Sequence, residues 1–303
     1  MWEKKGLIFR PDKRYCWMQS HAQLPTADHM RGSVYRIYFA SRDSLSRSHI
    51  GYIEIDINEP HQILKLSEAP ILEPGPPGFF DEHGVYPSSV VTFKDTKYLY
   101  YVGWSKGAEY PLFYASIGLA QSEDGGCTFQ KCSQAPIVER SEYDPCLVTS
   151  PWVFIDGDRW RMYYVSGIRW ERLLGRLQSY YHIKYAESAD GVHWMRQGRV
   201  AIEFKSKRES NIARPSVIKA DDKFEMWYSY VEGRPYRIGY ATSADGVVWQ
   251  RRDEEAGIDV SESGFDSEMV CYPFVFVRED KRYLLYNGNA FGREGIGLAV
   301  YEE

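Results

Sequence analysis

The chain has 303 residues, of which 44% are hydrophobic and 26% charged, enough for one large packed domain. Its net charge of −5, with no Lys/Arg cluster, argues against a nucleic-acid backbone as partner. No apolar run reaches the about 18 residues of a membrane-crossing helix, and Met1-Trp2-Glu3-Lys4-Lys5 leads into no signal-peptide core. The five cysteines (Cys16, Cys127, Cys132, Cys146, Cys271) are odd in number and have no CxxC or Cys/His finger spacing. They read as reduced thiols of a cytoplasmic protein. The 24 Tyr, 9 Trp and 14 Phe suit pleated, half-buried surfaces, and such rings also stack on sugars.

In chain order, one phrase recurs: an acidic stretch, then a Pro that opens an apolar, β-branched run. It begins weakly as His21-Ala22-Gln23-Leu24-Pro25 and becomes explicit at Asp81-Glu82-His83-Gly84-Val85-Tyr86-Pro87. It returns as Glu142-Tyr143-Asp144 before Pro151, as Glu209-Ser210-Asn211 before Pro215, and as Asp266-Ser267-Glu268 before Pro273. The prolines are 62, 64, 64 and 58 residues apart. A second marker keeps the same count: Ile50-Gly51, Ile117-Gly118, Ile183, Ile238-Gly239 and Ile296-Gly297. Within each unit a turn follows the Pro run, as at Lys94-Asp95-Thr96, Asp156-Gly157-Asp158, Asp221-Asp222-Lys223 and Glu279-Asp280-Lys281. An aromatic strand such as Tyr98-Leu99-Tyr100-Tyr101-Val102 comes next, then the Ile-Gly strand, then a tight hairpin.

About four strands in each of five units predict an all-β, five-bladed β-propeller occupying 1–303 as a single domain. Lys5-Gly6-Leu7-Ile8-Phe9 resembles the unit-ending pieces Ala69-Pro70-Ile71-Leu72 and Ala135-Pro136-Ile137-Val138. The N-terminal strand is therefore expected to complete the last unit and close the ring. The hairpins at Ser122-Glu123-Asp124-Gly125, Ser188-Ala189-Asp190-Gly191 and Ser243-Ala244-Asp245-Gly246 carry turn-forming aspartates, read as structural.

In a propeller, residues at equivalent places in successive units approach one axis. Asp81, Glu82, Asp144, Glu209, Asp266 and Glu268 are then expected to converge, and paired carboxylates are the equipment of glycoside hydrolysis. His21 and His83, each four residues before its Pro, and Arg214 and Arg169 are candidates to bind an anionic group. Trp104 and Trp170, with Trp17, are candidates to stack on a sugar, beside the alternative of core packing. Without close HxH or HxxxH spacing, neither a metal nor a cofactor is expected. Gly292-Arg293-Glu294-Gly295-Ile296-Gly297 precedes a strand and is no nucleotide cradle.

The repeated phrase and the Ser-x-Asp-Gly-x-x-Trp hairpins resemble the five-bladed propeller glycosidases of the arabinanase, invertase and levansucrase superfamily. Phe80-Asp81-Glu82-x-Gly84-Val85-x-Pro87-Ser88 and Tyr181-His182-Ile183-Lys184-Tyr185-Ala186-Glu187-Ser188 resemble a bacterial branch of it. The resemblance implies Glu209 as general acid and Asp144, through Asp144-Pro145, as transition-state stabiliser. It also implies a first-unit acid, yet Cys16-Trp17-Met18-Gln19-Ser20-His21 holds none, leaving Asp81 or Glu268 for nucleophile or base. The expectation is a glycoside hydrolase-like enzyme acting on a small glycan or activated sugar. A phosphorylase or glycosyltransferase with an anion site, and a non-catalytic sugar-binding propeller linked to surface-polysaccharide metabolism, stand as alternatives.

Overall fold

The computed structural model describes residues 1–220 and 222–302; Asp221 of the third expected turn and Glu303 lie outside the described residues. The chain opens with β1 (Glu3–Phe9) and then builds antiparallel groups. The first comprises β2 (Ser20–Arg31), β3 (Val34–Arg42), β4 (Ser48–Asp56) and β5 (Ile63–Leu66). The second comprises β6 (Gly84–Phe93), β7 (Thr96–Lys106), β8 (Phe113–Ser122) and β9 (Gln130–Lys131). The third runs through β10 (Leu147–Asp156), β11 (Arg159–Leu173), β12 (Arg176–Ser188) and β13 (Met195–Ile202). The fourth holds β14 (Glu209–Ala220), β15 (Lys223–Glu232), β16 (Arg237–Ser243) and β17 (Gln250–Arg251). Finally β18 (Cys271–Arg278), β19 (Lys281–Asn287) and β20 (Ile296–Glu302) form a sheet whose outer strand is β1, paired antiparallel to β20. The first strands of the groups touch in rotation: β2 with β6, β6 with β10, β10 with β14, β14 with β18, and β18 with β2.

The aromatic strands are explained by burial on both faces. Successive residues of a strand point to opposite faces, and in Tyr100-Tyr101 each ring has its own task. Tyr100 Oη donates to the Gly191 carbonyl in the third group's hairpin, as Tyr38 does to Gly126 in the second group's. The hairpin aspartates are the expected turn formers: Asp124 accepts from the Cys127 and Thr128 amides and from Ser122 Oγ. Burial raises its pKa, but these hydrogen bonds outweigh it and hold the carboxyl at about 2. Each hairpin thus docks on the preceding group. The apolar core lies in the seams: Tyr38, Ile50, Val85, Leu99 and Ala120 join the first two groups, and Trp2, Trp227, Ile238, Val275 and Leu284 join the fourth to the last. The second ring of each pair, Tyr101, Tyr228 or Tyr286, lies over the Gly of the Ile-Gly marker on the adjacent strand. A Cβ at Gly118, Gly239 or Gly297 would collide with that ring, so the marker is a packing requirement.

Candidate functional site

Each first strand carries the repeated Pro at a β-bulge. The register slips between Gln23 and Thr26, Pro87 and Ser89, Thr149 and Trp152, Ala213 and Ser216, and Cys271 and Phe274. Pro has no N–H to give the ladder, and a bulge tolerates that loss while re-aiming a neighbouring side chain. The residue before the Pro is left-handed in four strands: Leu24 (φ 56), Ser150 (φ 47), Arg214 (φ 54) and Tyr272 (φ 57). Left-handed backbone is costly for residues with a Cβ and concentrates at functional positions. Leu24, Ser150 and Tyr272, together with Tyr86 of the second group, line one cavity of about 560 Å³. That volume lies within the range of small-molecule sites.

The walls of the cavity are aromatic. Tyr86 and Trp104 stack at 6.2 Å with planes 13° apart, and Trp104 Nε1 donates to Ser48 Oγ at 2.9 Å. Across the cavity, Tyr236, Tyr272 and Phe291 form a three-ring cluster with centroids 6.1–6.3 Å apart. The Tyr181 and Tyr236 hydroxyls hydrogen-bond to each other. Burial pushes the Tyr236 and Tyr272 phenols well above their ordinary pKa, so both stay neutral donors. The only charged side chains in the lining are Arg42 and Lys106, and no carboxylate takes part. Among the described residues, no group of three or more His, Cys, Asp or Glu side chains is placed to hold a metal ion.

Arg214 does not enter this cavity. It is 1% exposed and runs between the first strands. One terminal nitrogen donates to the Pro87 and Ser88 carbonyls and Ser88 Oγ, the other to the Leu24 and Pro25 carbonyls and Thr26 Oγ1. The guanidinium therefore plugs the middle of the fold and ties β14 to β2 and β6. Burial lowers its pKa to about 9, which leaves it charged at neutral pH.

The placement of the acids corrects the expectation that they converge. Asp81 is 1% exposed and accepts from Lys131 Nζ at 2.6 Å and Tyr101 Oη at 3.3 Å. Asp144, fully buried, meets Arg196 at 2.9 Å and Lys184 at 3.5 Å, with the Tyr164 hydroxyl donating to it. Glu209, 2% exposed, takes a two-pronged contact from Arg251 at 2.7 and 2.8 Å and the Lys205 amide at 2.6 Å. Asp266 pairs with Lys4 at 2.7 Å and Tyr286 at 2.9 Å. In all four the cation comes from the outermost strand of the group (β9, β13, β17 or β1), and Asp81, Asp144 and Asp266 also accept from a phenol of its second strand. None of the four acids lines the cavity. In the first group Trp17 fills the corresponding place, with its ring against Gly51 and its indole N–H on the Glu68 carbonyl. Asp144-Pro145 lies in the turn before β10, whereas the bulge Pro of that strand is Pro151, preceded by Ser150.

Of the other candidates, Trp104 lines the cavity. His83 lies behind it, 5.8 Å from the Trp104 ring and 3.3 Å from Glu82. Trp170 packs edge-on against the lining residue Phe113 without reaching the cavity. Arg169 is exposed, paired with Glu171 and laid over Tyr180, and Glu268 is exposed outside the cavity. His21 lies beside Arg42 and Arg293; burial and then these two cations lower its pKa to about 4, so it is neutral at pH 7. Sequence reading missed Arg42, Lys106, Tyr86, Tyr181, Tyr236 and Tyr272. For Tyr86 and Tyr272 a signal existed, since each immediately precedes a phrase-opening Pro.

No family model matches the chain. Solved structures of glycoside hydrolases share the fold: one described as a glycoside hydrolase has a TM-score of 0.76 at 17% identity, covering 99% of this chain and 91% of its own. A glycosyl hydrolase from Bacteroides ovatus has a TM-score of 0.73 at 14% identity, covering 97% and 91%. A thermostable family-43 glycoside hydrolase has 0.67 at 18%, covering 96% and 93%. The chain thus has the fold of the β-propeller glycosidase superfamily. By sequence, the chain belongs to the family of the Mycobacterium tuberculosis proteins Rv1502 and MT1551, both described as uncharacterized. Each is 41% identical to it over 301 residues, covering 99% of both chains.

Proposed function

We propose that the five strand groups are the blades of one closed five-bladed propeller, a single domain over 1–303, and that its cavity binds a carbohydrate without acting as an ordinary hydrolase. The rotating contacts of the first strands and the β1–β20 pairing support the closed ring. The observation that carries the functional reading is a contrast: the cavity presents aromatic faces, while the acids at the unit starts are held in buried ion pairs outside it. Sugar rings offer C–H faces to aromatic side chains and hydroxyls to polar groups such as Ser150, Thr149 and Gln23. A general acid must reach the glycosidic oxygen, and Glu209 would first have to leave Arg251. The same holds for Asp144 as stabiliser and Asp81 as nucleophile, and Glu268 lies outside the lining. The unpaired thiols suit the cytoplasmic location expected from the sequence.

The test pairs turnover with binding. Purified protein is expected to leave a panel of α- and β-glycosides intact, while saturation-transfer NMR detects sugar contact that Trp104→Ala abolishes. Glycoside hydrolysis by the wild type that disappears in a folded Glu209→Gln variant would sink this reading and restore the hydrolase.

A further inference from the structure

We propose that the ligand of this cavity carries a phosphoryl group, as a sugar phosphate or a nucleoside-diphosphate sugar, seated against Arg42 and Lys106. The inference rests on the carbohydrate reading above and adds the charge of the ligand. Its basis is the charge of the cavity lining, which among the described residues holds Arg42 and Lys106 and no carboxylate. Arg42 is half-buried, and among the described residues its guanidinium hydrogen-bonds the neutral Gln23 Oε1 at 3.2 Å. Among the described residues, Arg42, Lys106, Arg293 and Arg214 have no carboxylate within ion-pair distance. Acids close by in sequence are already engaged: Asp43 by Arg47 at 2.9 Å and His49 at 3.2 Å, Glu82 by His83, and Glu109 by Arg172. The charge of the lining is thus purely cationic, in a chain of net charge −5.

Uncompensated cations in a partly desolvated cavity select an anion, and a guanidinium fork beside an ammonium suits phosphoryl oxygens. Arg214 strengthens the bias from beneath the floor, because burial keeps its charge poorly screened. His21 leaves the anion room: it stays neutral because burial and the Arg42 and Arg293 charges disfavour its protonation. The aromatic walls then receive the uncharged part of the ligand, a sugar ring alone or a ring with a stacked base.

The experiment is calorimetric titration of the full chain with a free hexose, the hexose 1-phosphate, a nucleoside-diphosphate hexose, a hexuronic acid and inorganic pyrophosphate. The phosphorylated sugars are expected to bind at least tenfold more tightly than the free hexose. That advantage should shrink with added salt and vanish in Arg42→Gln and in the exposed-site variant Lys106→Gln. Whichever phosphorylated sugar binds tighter names the source. Equal affinity for free and phosphorylated hexose, insensitive to both variants, overturns the phosphoryl site and leaves the carbohydrate reading standing. Hexuronic acid binding as tightly as the phosphates overturns the phosphoryl assignment. Pyrophosphate binding lost in Arg42→Gln, with no sugar bound at all, upholds the site and removes the carbohydrate reading.

Discussion

Two rings of residues repeat around this molecule, and they have opposite fates. The acids at the unit starts, Asp81, Asp144, Glu209 and Asp266, are buried against a cation of the outermost strand, and all but Glu209 also against a phenol of the second. The residues before the prolines, Leu24, Tyr86, Ser150, Arg214 and Tyr272, differ in chemistry from unit to unit and gather at the axis. Repetition of chemistry marks the positions every strand group needs in order to stand, whereas repetition of backbone with variable chemistry marks the positions free to make a site. A carboxylate recurring in register is thus evidence of a structural tie unless it sits where the bulge aims it inward.

The contrast breaks most decisively at Glu209. Removing one partner of a buried, hydrogen-bonded ion pair typically costs about 3–5 kcal/mol, because the other charge is left uncompensated. Glu209→Gln is expected to lose stability on that scale in urea denaturation, with Arg251 stranded. A catalytic acid held in an open cavity would give the opposite result, little change or a gain, and that outcome would return Glu209 to the site.

At the axis the corresponding variant is Arg214→Met. The change removes a desolvated charge, which favours the variant, but leaves the Pro87, Ser88 and Pro25 carbonyls without their donor. Buried unsatisfied groups cost about 1–3 kcal/mol each, so the expected balance is a loss of about 2 kcal/mol by the same measurement. An increase in stability would mean that the guanidinium is kept for its charge alone. Smaller still is Tyr164→Phe, which deletes one hydroxyl on Asp144 while Arg196 and Lys184 stay. It should cost about 1 kcal/mol, visible as a small shift of the denaturation midpoint.

Much of the architecture was legible because it repeats. The Pro phrase, the Ile-Gly pair and the Asp-Gly hairpins each mark one strand or turn per unit, and the strands fall where those markers put them. The β1–β20 pairing was legible for the same reason, from the likeness of Lys5–Phe9 to the pieces around Leu72 and Val138, which bridge Ile50 and Ile117. The direction of side chains was not legible. Whether Asp144 or Ser150 faces the axis depends on a bulge of one residue, and such a slip reverses which face a side chain occupies. Arg42 and Lys106 come from strand ends with no shared motif and Tyr181 from within β12, and only the assembled fold brings them beside Tyr86 and Tyr272. Trp104 was found as a ring just beyond the aromatic run Tyr98–Val102, where β7 continues to Lys106; Trp170, one group later, lies behind Phe113 on the long β11–β12 hairpin.

The finest probe of the difference between the two rings is acid titration of stability. His21, beside the axis, has a folded pKa near 4 because burial and the Arg42 and Arg293 charges oppose its protonation. In the unfolded chain it titrates near 6.5. Between those values the unfolded state binds the additional proton, so stability must fall as the pH drops from about 6.5 towards 4. Burial lowers the pKa of His182 as well and adds to the same slope. The outer hairpins respond lower down: Asp124, held at about 2, contributes stability above its unfolded value near 3.8 and loses it as the pH falls to 2. Urea midpoints measured across this range should therefore decline in two stages, and His21→Gln should flatten the upper stage while leaving the lower one intact. Bound pyrophosphate would offset the Arg42 and Arg293 charges, raise the His21 pKa, and flatten the upper stage in the wild type too. If His21→Gln leaves the upper stage unchanged, the cations at the axis do not act on His21, and the field that the phosphoryl site depends on is absent.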